Sequence, residues 1–236
     1  MPAKRAIGAK AAEHIERLSF SEKKIQELFD GTAFTVNKII AEEEKSVIFE
    51  FLKGDTLFDI IVQKHQENPD ISYELILRYA QILKSKAYDK FVFTDEFRNV
   101  FGDTLTEDDF YSMPYTDIDM CFDNIIINDN NEWQLIDYEF CFDFPIPVDF
   151  VIYRAFMQLN KKLPKSVNNK FIKKAFRLLG IAPNIPVFRQ MEVAFQKYAL
   201  GDNIYQRNII TGSRDCALDY KRALKALKRD VSRNKK

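Results

Sequence analysis

Two short apolar runs joined by a polar turn lie near the middle of the chain, in the segment YTDIDMCFDNIIINDNNEWQLIDYE at 115–139. Residues 125–127 and 133–136 are of strand type, and residues 128–132 between them are turn-forming or acidic. Such runs form a β-hairpin when a few turn residues allow the second strand to fold back beside the first. The sequence therefore predicts an antiparallel hairpin, against which the rest of the chain must pack.

Polar side chains lie at both open ends of this predicted hairpin. Asp119 and Asn124 precede the first strand with four residues between them, and Asp137 follows the second strand. We expect the three side chains at one rim. Phosphoryl transfer needs a divalent cation against the phosphates and an attacking hydroxyl that is aimed and relieved of its proton. Two carboxylates and an amide can meet both needs, although turn residues around any hairpin can supply the same pair of Asp and Asn.

The loop DIDMCFDN at 117–124 and the tetrapeptide IDYE at 136–139 resemble the protein-kinase-like superfamily, in particular its aminoglycoside and choline phosphotransferases. In that branch the catalytic loop reads H-G-D-x-x-x-x-N and the metal-binding Asp lies in I-D-W-E. The resemblance implies that Asp119 is the catalytic base and that Asn124 and Asp137 bind Mg²⁺.

The resemblance carries further implications for the fold. Asp149, twelve residues after Asp137, matches an Asp that braces the catalytic loop, whereas Asp117 replaces the His of the family. The backbone contact of that imidazole must therefore come from another group or be absent. The implied fold class is α+β, a kinase-like two-lobed chain. A reduced β-containing N-lobe at 1–52 would precede a mainly α-helical C-lobe at 53–236 that carries the catalytic hairpin.

The segment EFLKGDTL at 50–57 is similar to the hinge of that superfamily, E-[FY]-[LI]-x-G-x-x-L. At a hinge the adenine of ATP meets backbone groups, which the resemblance assigns to the Glu50 carbonyl and the Leu52 N–H. An ordinary connection from strand to helix, with Gly54 in the turn and Asp55 as the helix N-cap, explains the same residues.

The N-terminal part is shorter than a complete N-lobe of that superfamily. The chain has seven glycines and neither a G-x-G-x-x-G nor a P-loop pattern, so it is either a domain of a longer protein or has a minimal lobe. Lys4 is the only lysine at the place of the family's phosphate-binding lysine, and Glu13 or Glu16 is its expected partner. A solvated lysine beside helix-surface glutamates is the alternative.

Apolar periodicity and capping residues predict the remaining elements. Helices are expected at 6–18, 21–29, 56–66, 70–86, 150–159, 166–179 and 187–200. Ser21 is the expected N-cap of the second helix. Residues 32–41 and 46–52 are expected to form an antiparallel strand pair.

Residues 89–114 are an insertion ahead of the catalytic loop, rich in aromatic and acidic side chains. These are Phe91, Phe93, Phe97, Phe101, Phe110, Asp103, Glu107, Asp108 and Asp109. Rings stack on sugar faces and carboxylates accept hydrogen bonds from hydroxyl or ammonium groups, so the segment would suit a polyhydroxylated or cationic acceptor. A loop packed by its own phenylalanines is the alternative, and we favour it for any single residue.

The C-terminal segment has a different character. Tyr220, Leu224, Leu227 and Val231 recur at spacings of four and three among many Lys and Arg residues, which predicts a basic amphipathic helix. Such a helix docks by its apolar edge as a solvated terminal helix, or contacts a membrane surface or a coiled-coil partner.

Composition excludes several classes of protein. Lys plus Arg and Asp plus Glu number 35 each, so a nucleic-acid partner is not expected. Three cysteines without a C-x-x-C pair and only two histidines argue against a disulfide framework or a zinc site, and Cys121 is expected to pack rather than react. Without a long apolar run or an apolar signal region, a cytoplasmic location is expected.

Two functions follow from these patterns. The first is an ATP- and Mg²⁺-dependent phosphotransferase that acts on a hydroxyl of a small molecule or glycan, nearer to bacterial cell-envelope glycan kinases than to antibiotic-resistance enzymes. The second is a kinase-fold module that binds nucleotide or a partner protein without catalysis. The missing glycine-rich loop and Asp117 favour the second function. Retention of Asp119, Asn124 and Asp137 favours the first.

Overall fold

The strands of this chain are short and pair into small sheets. The computed structural model describes residues 3–5, 9–43, 46–105, 110–162 and 165–200. Within these ranges the helices are α1 (Ala9–Leu28), α2 (Leu57–Glu67), α3 (Pro69–Ser85), α4 (Asp95–Phe101), α5 (Val148–Lys162), α6 (Lys165–Leu178) and α7 (Ile185–Leu200). The strands are β1 (Ala3–Arg5), β2 (Phe34–Val36), β3 (Ile39–Glu43), β4 (Ser46–Phe49), β5 (Asp55–Thr56), β6 (Asp89–Lys90), β7 (Tyr111–Met113), β8 (Thr116–Asp117), β9 (Ile125–Ile127), β10 (Trp133–Leu135), β11 (Cys141–Phe142) and β12 (Ile146–Pro147). The fold is therefore a mixed α/β arrangement.

The predicted hairpin is present as β9 and β10. The two strands pair antiparallel, with Trp133 opposite Ile127 and Leu135 opposite Ile125. Trp133, Leu135 and Ile125 are buried, whereas Gln134 is only partly covered, because successive side chains of a strand point to opposite faces. The hairpin lies inside a four-stranded sheet of order β2-β10-β9-β5.

The strand pair expected at 32–41 and 46–52 is only partly correct. β3 and β4 pair antiparallel as predicted, and β1 adds to the other edge of β4 with Lys4 opposite Val47. β2 is a separate strand that pairs in parallel with β10. The chain changes sheets at the buried Asn37, whose N–H donates to the carbonyl of Leu135 over 2.9 Å.

Two capping predictions are wrong. One continuous helix, α1, replaces the two helices expected at 6–18 and 21–29, because Ser21 is buried on its inner face and its hydroxyl lies 2.9 Å from that of Tyr115. The N-cap of α2 is Thr56 rather than Asp55, since the Thr56 hydroxyl accepts from the Asp59 N–H over 3.1 Å. The five later helices that correspond to predicted ones begin and end within three residues of their expected bounds.

The aromatic insertion is folded rather than open. It forms β6, α4 and β7, and the rings of Phe91, Phe97 and Phe101 are buried. Phe97 lies 4.8 Å from both of the other two rings, measured between ring centroids. These rings pack as the alternative interpretation expected. Glu107, Asp108, Asp109, Cys216 and the predicted helix around 220–231 lie outside the described residues. No helix in the described ranges is both long and apolar enough to cross a membrane.

Candidate functional site

The loop at 117–124 is held from within by its own polar groups. The Asp119 N–H donates to Oδ1 of Asp117 over 3.0 Å, and the Asn124 amide donates to the Asp119 carbonyl over 2.9 Å. The Cys121 N–H donates to the same carbonyl over 2.6 Å. Asp119 therefore has a fixed backbone position, and Asp117 supplies a contact where the family has His.

Neighbouring elements also hold this loop. The hydroxyl of Tyr79 on α3 donates to the Met120 carbonyl over 2.7 Å, and the Ile118 N–H donates to the Phe140 carbonyl over 3.1 Å. Arg154 on α5 donates from Nε to the Ile118 carbonyl over 3.0 Å. Three separate parts of the fold thus hold the loop at Ile118 and Met120.

Arg154 contacts Asp119, and no sequence pattern pointed to this residue. Its Nη2 lies 2.5 Å from Oδ1 of Asp119, and its Nη1 contacts the carboxylate of Glu192 on α7. The Arg154 side chain is 9% exposed and that of Asp119 is 24% exposed. Burial alone would lower the pKa of the guanidinium, but the carboxylates of Glu192 and Asp119 raise the pKa of Arg154 above its usual value.

Asp149 does not have the role implied for it. Its carboxylate lies 2.9 Å from the ammonium of Lys84, whereas Arg154, later on the same helix, contacts the loop. The expected brace from α5 exists, but the resemblance assigned it to the wrong residue. A sequence motif gives the position of a residue along the chain but does not determine which groups its side chain contacts.

Asp117 is buried inside the loop as a carboxyl group with one unpartnered oxygen. It is 1% exposed, and its Oδ2 has no hydrogen-bond partner among the described residues. Burial, followed by the nearby charge of Asp119, raises the pKa of Asp117 well above its usual value. Cys121 is also buried, and burial raises the pKa of its thiol, which fits the packing role expected for it.

The backbone brings Asn124 close to the strand end that precedes Asp137. The Ile136 N–H donates to the Asn124 carbonyl over 2.8 Å. Asp137 itself has a positive φ of 60°, a backbone conformation that is uncommon for residues other than glycine and recurs at functional sites.

The side-chain oxygens of Asn124 and Asp137 are of the kind that binds a magnesium ion. Because the Asn124 nitrogen is committed to the Asp119 carbonyl, its Oδ1 is the atom left to act as a ligand. Mg²⁺ in phosphoryl-transfer sites is bound through one or two carboxylates together with substrate phosphates. The described residues contain no group of three or more His, Cys, Asp or Glu side chains arranged for a metal, so phosphate oxygens would have to complete the shell.

A cavity of about 320 Å³ connects the remaining predicted site residues. Its lining residues are Lys4, Asn37, Phe49, Glu50, Phe51, Leu52, Ile126, Ile136 and Asp137. Glu50 and Leu52 lie between β4 and β5 in a stretch without regular secondary structure. The structure thus places Lys4, Glu50, Leu52 and Asp137 around one cavity. Asp119 and Asn124 are outside this lining, and the hydrogen bond from the Ile136 N–H to the Asn124 carbonyl links their loop to the residue before Asp137.

Lys4 contacts carboxylates other than those expected. Its ammonium forms ion pairs with Asp137 and Glu139, whereas the side chains of Glu13 and Glu16 lie outside the described part of the chain. Burial lowers the pKa of Lys4, but hydrogen bonds to Asp137 and then to Glu139 outweigh it and raise the pKa overall. Lys4 therefore stays charged inside the cavity wall.

No protein-family model and no curated protein matches this chain. Among solved structures, the apoenzyme of a macrolide 2'-phosphotransferase from Brachybacterium faecium aligns with 92% of this chain and 81% of its own, at 11% identity and a TM-score of 0.40. That TM-score is too low to equate the two folds. The roles assigned below rest on the contacts within this chain.

Proposed function

We propose that this chain is a kinase-like phosphotransferase that binds ATP and Mg²⁺ and phosphorylates a hydroxyl of a small molecule or glycan. The observation that supports this most directly is the composition of the 320 Å³ cavity. The lining includes Lys4 and Asp137, which form an ion pair, and the irregular stretch at 50–52. A nucleotide needs a cation, a backbone edge for its base and a metal-binding acid in such an arrangement.

The adenine would lie against the apolar lining of the cavity. Phe49, Ile126 and Ile136 supply hydrophobic walls, and the backbone of Glu50 and Leu52 borders the same space. Apolar contact with a few backbone hydrogen bonds is how most small-molecule sites bind planar rings. The triphosphate would then extend toward Lys4, where the ammonium neutralises phosphate charge.

Asn124 and Asp137 would hold the metal at the phosphate end. A magnesium ion held by these residues would neutralise negative charge on the phosphates. Asp119 would accept the proton of the acceptor hydroxyl. The hydroxyl oxygen would form a bond to the γ-phosphorus as the bond between that phosphorus and the bridging oxygen breaks. With Oδ1 of Asp119 held by Arg154, Oδ2 is the atom left for the acceptor.

A kinase-fold module without catalysis is the second candidate. The pairing of Lys4 with Asp137 favours it, because the ammonium occupies a carboxylate that a metal would need. The replacement of His by Asp117 also fits a module of this kind. Such a module would bind nucleotide or a partner protein and show no turnover.

A thermal-shift titration tests the nucleotide site. Wild-type protein is heated with ATP and Mg²⁺, with Mg²⁺ alone and with ATP plus a chelator, beside Asp137→Ala and the matched control Asp129→Ala in the exposed hairpin turn. Binding at 100 times Kd stabilises a folded protein by about 2.7 kcal/mol. We expect a metal-dependent shift that Asp129→Ala keeps and Asp137→Ala loses. No shift with ATP under any condition would contradict both candidates that bind nucleotide.

Turnover separates the two candidates. Protein that binds ATP is incubated with γ-labelled ATP, Mg²⁺ and a panel of sugars, amino sugars and macrolides, and transfer of label is measured. Label transfer that Asp119→Asn abolishes supports the enzyme. Binding without transfer to any acceptor or to water supports the inert module.

A further inference from the structure

Arg154 offers its three nitrogens to three separate acceptors. Nε donates to the Ile118 carbonyl, Nη2 to the carboxylate of Asp119 and Nη1 to that of Glu192. The ring of Phe195 covers the guanidinium, with Cζ of the arginine 4.7 Å from the ring centroid. A planar guanidinium is the side chain that can make these bonds together, because its donors are fixed in a fork.

The Glu192 carboxylate is also held. The Gln196 amide, one turn later on α7, donates to it over 2.5 Å, and the Glu192 side chain is 12% exposed. The carboxylate therefore cannot swing away from Arg154 without losing a second partner. Glu192 fixes the guanidinium from the side opposite the loop.

We propose that Arg154 is a positioning residue for Asp119, and that Glu192 orients Arg154 for this task. The proposal rests on the proposed function, in which Asp119 accepts the acceptor proton. By bonding the carbonyl of Ile118 and Oδ1 of Asp119, one guanidinium fixes both the backbone and the side chain at the base. The rotamer that aims Oδ2 at the acceptor is then set before substrate binds.

The opposite charges of Arg154 and its two carboxylate partners, Asp119 and Glu192, hold the Asp119 side chain firmly. Two carboxylates share one guanidinium that is 9% exposed, so none of the three groups is well solvated. A buried, hydrogen-bonded ion pair leaves an uncompensated charge when one partner is removed. Arg154→Lys keeps the charge and loses the fork, so it tests geometry rather than charge.

Single-turnover kinetics with γ-labelled ATP and Mg²⁺, with water or a productive acceptor from the panel, test the proposal. The variants are Arg154→Lys, Glu192→Gln, Asp119→Asn and the double variant Arg154→Lys/Asp119→Asn, with Arg177→Lys on an exposed face of α6 as control. We expect Arg154→Lys to lower the rate of transfer about 10- to 100-fold, because displacement of a reacting group by about 1 Å costs on the order of 100-fold. Affinity for Mg-ATP should change less than about threefold, since Arg154 does not line the cavity.

The double variant decides how Arg154 acts. If Arg154 works through Asp119, the double variant turns over at the rate of Asp119→Asn alone, because groups that act as a unit are non-additive. An equal rate loss from Arg154→Lys in both backgrounds would assign it a general structural role and overturn the proposal. Unchanged turnover in Arg154→Lys would overturn it as well.

Two further outcomes separate this inference from the proposed function. Wild-type protein that does not bind Mg-ATP refutes the nucleotide site itself. Wild-type protein that binds Mg-ATP and transfers no phosphate to water or any acceptor refutes the catalytic function and the positioning role together, whereas active wild-type protein with unchanged turnover in Arg154→Lys overturns the positioning role alone. If Arg154→Lys does not fold, Glu192→Gln carries the test, with a smaller rate loss expected and the same non-additivity with Asp119→Asn.

Discussion

Gly54 lies against the backbone of Ile127 so closely that a Cβ at position 54 would be 2.2 Å from the Ile127 carbonyl oxygen. Gly54 also has φ of 145°, which side chains rarely permit. This contact joins the stretch at 50–54, which borders the cavity, to the hairpin strand β9. We predict that Gly54→Ala lowers the free energy of unfolding by about 2–3 kcal/mol, since overpacking against backbone must shift one of the two segments. Urea denaturation measures the change.

Gly180→Ala is the matched control for this contact. Gly180 has φ of 75°, and a Cβ added there would meet nothing within 4 Å, so only the backbone penalty of about 1 kcal/mol applies. Mg-ATP affinity should fall in Gly54→Ala and stay unchanged in Gly180→Ala. Equal losses of unfolding free energy in the two variants would show that the close approach to Ile127 does not contribute to the cost of a side chain at position 54.

The Tyr79 hydroxyl supports a second prediction. It is fully buried and donates to the Met120 carbonyl inside the loop at 117–124. Tyr79→Phe should lower the free energy of unfolding by about 1–2 kcal/mol, because the carbonyl is left without its partner. Tyr111→Phe, on an exposed ring, should change stability by less than about 0.5 kcal/mol. Calorimetry of both variants checks the difference, and a Tyr79→Phe variant as stable as wild type would contradict it.

The elements that sequence predicted well are those with a local signal. The hairpin at β9 and β10 has apolar strands and a turn of Asn, Asp and Glu residues, so the apolar runs and the turn residues predict the same structure. The later helices were placed to within three residues because their apolar stripes recur regularly. The break expected at Ser21 was wrong because a serine before a helical stripe looks like a cap, whereas here its hydroxyl meets Tyr115 in the interior.

Contacts between distant segments had no such signal. β2 leaves its neighbour β3 to pair in parallel with β10, about a hundred residues later. Arg154 reaches Asp119 from a helix whose sequence pattern is an ordinary amphipathic one. The contacts of Lys4 with Asp137 and Glu139 join distant parts of the chain, and they form because β1 pairs with β4. Only tertiary structure could supply these pairs.

Asp117 gives a prediction about pH. Burial raises its pKa in the folded chain, so the folded state holds a proton that the unfolded state loses above its ordinary pKa of 3.8. The contribution of Asp117 to stability therefore falls as pH rises from that value toward the raised pKa. Asp117→Asn cannot lose a proton, so its melting temperature relative to wild type should rise as pH increases above 3.8 and level off once pH passes the raised pKa of Asp117. A difference that stays flat over this range would mean that Asp117 is ionised in the folded chain.

Lys4 gives a prediction in which two affinities move in opposite directions. Its ammonium pairs with Asp137 and Glu139, so Lys4→Met removes one positive charge beside both carboxylates, of which Asp137 lines the cavity. We predict that Lys4→Met binds Mg²⁺ alone more tightly and binds Mg-ATP about tenfold or more weakly, a loss of about 1.4 kcal/mol, because the phosphate contact is gone. Isothermal titration calorimetry measures both affinities. Lys23→Met, on the exposed face of α1, is the control and should change neither.

The stability of Lys4→Met has a separate expectation. The carboxylates that Lys4 contacts are part-exposed, so loss of the pairs should cost less than about 1 kcal/mol. Because the pKa of Lys4 is raised in the folded chain, its contribution is fully present below the ordinary value of 10.5 and is lost as pH rises through the raised one. The difference in unfolding free energy between wild type and Lys4→Met should thus be constant between about pH 6 and 9. A difference that varies over this range would contradict a raised pKa for Lys4, and unchanged Mg-ATP binding by Lys4→Met would mean that the cavity lacks its proposed phosphate contact.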